Sequence, residues 1–152
     1  MARVNVGINP KYLSDQHLLA EAVEILMVVG ALKKQKFILK NPTPKQFKLG
    51  TGHIRFFWDK ILFLNRRLTL VKNEIVRRGM QTNHQINISE IPSKLLNDWN
   101  PNDNDFFLLK ERISDRLKSP LKGGKNFHKY CGSPIENISI FVENLNRSTI
   151  FK

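Results

Sequence analysis

Two groups within the first 24 residues could do covalent chemistry. Ala2 follows the initiator methionine, and so small a second residue predicts removal of Met1, exposing an α-amine one residue before Arg3. An α-amine has a pKa near ~8 against ~10.4 for lysine, so roughly a tenth of it is free base at neutral pH. Such an amine is a ready nucleophile for carbonyl-like carbon. The second group is Glu24, a carboxylate inside the mainly apolar run from Leu18 to Val29. Desolvation there would raise its pKa and fit it for acid or base work. Taken alone, a glutamate so placed is more often exposed or salt-bridged. His17, Glu21 and Glu24 fall at i, i+4 and i+7, which puts them on one face of a helix. A third feature, Gly50-Thr51-Gly52 followed by His53, stands where a helix begins and free amides could hold a phosphate. Alone it is a weak pattern, and His53 reads as readily as a helix cap or a hydrogen-bonded structural histidine.

What is missing narrows the chemistry. The chain has no Walker loop, no pair of histidines on one turn, no Cys-x-x-Cys and no Gly-x-Ser-x-Gly elbow, so neither a metal nor a cofactor is expected. A single cysteine, Cys131, excludes an internal disulfide and a multi-cysteine zinc site. Twenty-five Lys and Arg against 13 Asp and Glu give a net charge of +12, which favours nucleic acid as the partner. Membrane binding is not expected, because no basic amphipathic helix or lipidation signal is evident. With no bilayer-length apolar stretch and no signal peptide, a cytoplasmic location is expected.

These groups must be positioned by a small number of helices. The 152 residues, 41% of them hydrophobic, predict one domain with one modest core, and a monomer. Ser14 can cap a helix from Asp15 to about Gly30 that is apolar on most faces and therefore largely buried. A basic, Pro-containing connection over residues 31–52 opposes a further long helix. From about His53 to Arg78, Phe57, Ile61, Leu64, Leu68, Val71 and Ile75 keep an unbroken helical spacing. Lys60, Arg66, Arg67, Lys72, Arg77 and Arg78 are expected on its solvent side. Residues 80–104 read as a surface wrap anchored by Ile88, Ile91, Leu95, Leu96 and Trp99. A third helix runs from about Asn104 or Asp105 to Lys118, and Pro120 stops it. Residues 121–152 read as irregular structure with a loose tail. The expected fold class is all-α: a compact single-domain three-helix protein with long irregular connections.

Several stretches, taken in order, resemble the phage-type endonuclease V family of pyrimidine-dimer DNA glycosylases with abasic-site lyase activity. They are MARVNV at the N-terminus, DQHLLAEAVEIL (Asp15 to Leu26) and LGTGHIRFFWDKILFLNRR (Leu49 to Arg67). Arg77-Arg78-Gly79, ISEIP (Ile88 to Pro92), Asp98-Trp99-x-Pro101, RISDR (Arg112 to Arg116) and FHKYCG (Phe127 to Gly132) continue the series. The resemblance spans residues 1–135 and leaves 136–152 as a C-terminal extension.

The resemblance implies double-stranded damaged DNA as partner, excision of a base of a cyclobutane pyrimidine dimer, and nicking by β-elimination. By the same resemblance, the Ala2 α-amine attacks C1′ and forms a Schiff base. Glu24 matches the catalytic glutamate. Arg3, Gln16 and His17 match residues around the reacting centre, His53 follows the family's Gly-x-Gly, Arg112 and Arg116 match basic residues that approach DNA phosphates, and Lys129 and Tyr130 match part of a segment near the lesion. The family binds kinked duplex and flips a base from the stack. Val23 and Met27 stand where the family pattern has arginines, and His128 and Cys131 where it has aromatics. The same chemistry on another damaged or modified base, and a non-catalytic DNA-binding protein, are the alternatives.

Overall fold

The computed structural model describes residues 3–119 and 128–151. Its helices are α1 (Asp15–Lys34), α2 (His53–Phe56), α3 (Ile61–Arg77), α4 (Asp103–Lys118) and α5 (Ile138–Arg147). A two-residue antiparallel ladder joins β1 (Lys129–Tyr130) to β2 (Ser133–Pro134). The fold is all-α and compact, as the sequence predicts, with α1 laid on α3 and α4 on α5.

The Ser14 hydroxyl accepts the His17 amide at 3.2 Å and caps α1. The helix runs four residues past Gly30 because Leu32, fully buried, holds its last turn to the core. Burial of α1 is less complete than its composition predicts: Leu19, Val23 and Met27 are exposed.

The predicted second helix breaks between α2 and α3, at the buried pair Phe56 and Phe57. Both enter a cluster with Phe47, Phe63 and Trp99, whose neighbouring rings lie 5.0–6.2 Å apart. The Lys60 ammonium closes the turn by donating to the Phe56 carbonyl at 3.0 Å and pairing with Asp59 at 2.8 Å. Beyond it the apolar row from Ile61 to Ile75 is buried. Arg67 is buried at 2% exposure and the Arg78 side chain at 0%, so neither belongs to the solvent side expected for them.

Asn102 and Asp105 form a reciprocal capping box at the start of α4. Its expected stop, Pro120, lies outside the described residues. The C-terminal region is not irregular, for Asn137 caps α5, and Ile138, Phe141, Val142 and Leu145 give that helix an apolar face. Val142 and Leu145 are buried in the common core, and the Phe151 amide donates to the Gly7 carbonyl at 2.8 Å.

Candidate active site

The N-terminal segment is held by polar contacts as well as by its apolar side chains. Val4, Val6 and Ile8 are fully buried. The Val4 amide donates to His53 Nε2 at 3.1 Å, and His53 Nδ1 lies 2.9 Å from the Lys48 carbonyl. An accepting Nε2 requires the proton on Nδ1, which donates to Lys48, so His53 is bound as the neutral ring. Burial lowers its pKa to about 4, with Arg3 and Arg112 acting in the same direction against the Lys48 hydrogen bond. Gly50 and Gly52 take φ of +76° and +92°, conformations that suit glycine, and shape the turn that brings His53 beneath the segment.

Glu21 holds the next residue. Its carboxylate accepts the Asn5 amide at 3.1 Å and the Asn5 side-chain nitrogen at 3.0 Å. Arg67 grips the same carboxylate in bidentate fashion at 2.7 and 2.9 Å and donates its remaining nitrogen to the Ile8 carbonyl at 2.6 Å. A fully buried carboxylate is tolerable because four donors satisfy it. The backbone at residues 4, 5 and 8 is thus pinned to α2, α1 and α3. Residue 3 leaves this clamp directly beside Glu24.

Glu24 is 2% exposed, and its Oε1 has no hydrogen-bond partner among the described residues. Burial raises its pKa, while the cations Arg3 and Arg112 act in the opposite direction. Arg3 and Arg116 are close enough to perturb Arg112: burial, then Arg3 and Arg116, lower its pKa, and Glu24 supports it. Two cations, Arg3 and Arg112, thus act on one buried carboxylate, and Arg116 acts on Arg112. The His17 ring lies 5.3 Å from that of His128. Its pKa falls to about 4 through burial and the neighbouring His128, Arg112 and Arg116, and its buried Nδ1 also lacks a hydrogen-bond partner among the described residues.

The structure therefore brings together Arg3, His17, Glu24, Arg112 and Arg116 from three separate segments. Ala2 lies outside the described residues. Gln16 accepts the Lys129 amide at 2.8 Å, fastening β1 to the start of α1. Tyr130 stands apart, facing a cleft it shares with Lys11, Tyr12, Arg77 and Phe141. Its ring is covered by Arg78 at 4.0 Å, and its hydroxyl donates to the Lys11 carbonyl at 2.9 Å. His53, with both ring nitrogens engaged inside the protein, serves the site through the Val4 backbone.

Sequence reasoning missed the clamp residues Asn5, Glu21 and Arg67 as a unit. The alignment of Glu21 with His17 and Glu24 was visible, but its partner lies 46 residues away. It also missed Arg78, which donates to Asp15 at 2.8 Å while Asp15 accepts the Cys131 and Gly132 amides. That linkage ties α1, α3 and the β-hairpin together.

Among the described residues no group of three or more His, Cys, Asp or Glu side chains could hold a metal ion, and no helix is long and apolar enough to cross a membrane. A protein-family model described as pyrimidine dimer DNA glycosylase matches residues 1–88, a span that holds Ala2, the clamp and Glu24.

Proposed function

The chain belongs to the pyrimidine dimer DNA glycosylase family, and on that basis we propose that it excises a base of a cyclobutane pyrimidine dimer through an imine with the Ala2 α-amine and then nicks the strand. Glycosylase function in DNA repair follows from the family; the imine, the lyase step and the residue roles are our reading. The observation that carries it is the buried Oε1 of Glu24, without a hydrogen-bond partner among the described residues and within the electrostatic reach of Arg3.

The free amine forms a bond to C1′ of the damaged nucleotide as the C1′–N bond breaks, and the base leaves with that electron pair and a proton. Ionised Glu24 stabilises the cationic sugar in this step. The nitrogen lone pair then opens the sugar by breaking C1′–O4′, O4′ takes a proton, and a protonated imine results. Removal of a C2′ proton, with Glu24 as the base, drives β-elimination of the 3′ phosphate. Water hydrolyses the imine and restores the amine. Arg3, Arg112 and Arg116 hold phosphates around the reacting sugar.

Glu24→Gln keeps the shape and removes the charge. Nicking of duplex containing one abasic site should fall at least ~100-fold with DNA binding retained. Retained nicking would overturn the role of Glu24. Nicking of ultraviolet-irradiated but not undamaged duplex supports the dimer as substrate, and equal nicking of both would overturn it.

A further inference from the structure

One strip of α1 turns apolar side chains toward solvent. Leu19, Val23 and Met27 follow at i, i+4 and i+8 and are 38, 48 and 56% exposed. The half-exposed positions beside them include Gln16, Ala20 and Gly30, and the next charged side chains at the surface of the helix are Lys33 and Lys34. A Cβ added at Gly30 would meet nothing within 4 Å, so the strip runs out into open space. The other large exposed apolar side chains among the described residues, Ile38, Leu62, Val76, Phe107 and Ile140, are spread over several elements. An uncharged strip three residues long is out of keeping with the surface of a chain of net charge +12.

Its place says what covers it. Val23 immediately precedes Glu24 on α1 and Met27 lies about one turn beyond, so the strip borders the carboxylate on which Arg3 and Arg112 act, with Arg116 acting on Arg112. A DNA sugar brought to Glu24 sets its phosphates against those cations. The part of the same molecule that meets Val23 and Met27 must then be apolar, and in DNA that is a base face or a thymine methyl. Base faces are hidden in an intact stack and become available only where the stack is opened. We propose that Leu19, Val23 and Met27 form an apolar platform that takes the exposed face of a base next to the target nucleotide, so that recognition depends on unstacking as well as on charge. This rests on the reading that a DNA sugar is brought to Glu24.

The test compares the unsubstituted protein with the double variant Val23→Ser/Met27→Ser, and with the near-isosteric Val23→Thr. Affinity is measured over a range of salt for a duplex carrying one uncleavable abasic analogue and for the same duplex intact. The double variant should lose about tenfold in affinity for the opened duplex, the scale of two part-buried apolar side chains. The ratio of the two affinities should fall by the same factor, and the slope of log K against log salt should stay, because every cation that meets a phosphate is kept. Val23→Thr should show a smaller loss in the same direction, and melting temperature reports that each variant is folded. An unchanged ratio, or equal losses on both duplexes, would overturn the platform. So would an unchanged ratio accompanied by loss of self-association in sedimentation, which would assign the strip to a second copy of the chain. Failure of the unsubstituted protein to nick abasic duplex would instead sink the proposed function, and the two failures are read in different assays.

Discussion

At the scale of single residues, two glutamates three positions apart on α1 have opposite surroundings. Glu21 accepts hydrogen bonds from Asn5 and Arg67, whereas Glu24 has an oxygen buried without one among the described residues. Satisfaction by four donors suits Glu21 to holding the fold, and the missing donor suits Glu24 to a ligand. Arg67→Met strands the Glu21 charge in the core and should cost about 3–5 kcal/mol in chemical denaturation. Adding Glu21→Met should recover a large part of that loss, since the desolvated charge is then gone. Equal destabilisation by the single and double variants would show that the pair contributes through packing alone. Glu24 was legible as a candidate because a carboxylate in an apolar run is costly unless used. Arg67 was not, because its neighbourhood in sequence reads as an ordinary cationic helix face.

At the scale of elements, the helices with one apolar row were legible, and the departures have local causes. The row from Ile61 to Ile75 is buried as spacing predicts, while the break at Phe57 to Lys60, closed by the Lys60 ammonium on the Phe56 carbonyl, is one that a periodicity count passes over. The apolar face of α5 was equally readable from Ile138, Phe141, Val142 and Leu145, but a helix of 10 residues after a polar stretch is a weak signal. The N-terminal segment, the element that matters most for chemistry, depends on neutral His53. His53 and His17 have folded pKa values of about 4 against an unfolded value near 6.5. The unfolded chain therefore binds protons first as pH falls, and stability present above ~6.5 is lost progressively toward pH ~4. Glu24, its pKa raised, acts in the opposite sense over the acid part of that range. Thermal unfolding between pH 7 and 4 should show a falling melting temperature, and His53→Gln should flatten part of the dependence. An unchanged dependence in that variant would show that His53 is not its source.

At the scale of the whole molecule, charge and shape divide the work of meeting DNA. A net charge of +12 supplies an attraction without sequence preference, and in the proposed reading Arg3, Arg112 and Arg116 focus it on Glu24. Replacing Arg112 or Arg116 with Gln should reduce the slope of log K against log salt by about 1 for each phosphate no longer neutralised. A slope that does not move in either variant would place the phosphates elsewhere on the surface. Net charge was legible from composition, but its focus was not, since these arginines come from the N-terminal segment and from α4. Everything proposed for the Glu24 site turns on the terminal amine being the nucleophile, and borohydride reduction during reaction with abasic-site DNA traps that amine where it reacts. A covalent adduct on the peptide that begins at Ala2 is the predicted result, whereas an adduct confined to a lysine, or none from protein lacking Met1, would contradict it.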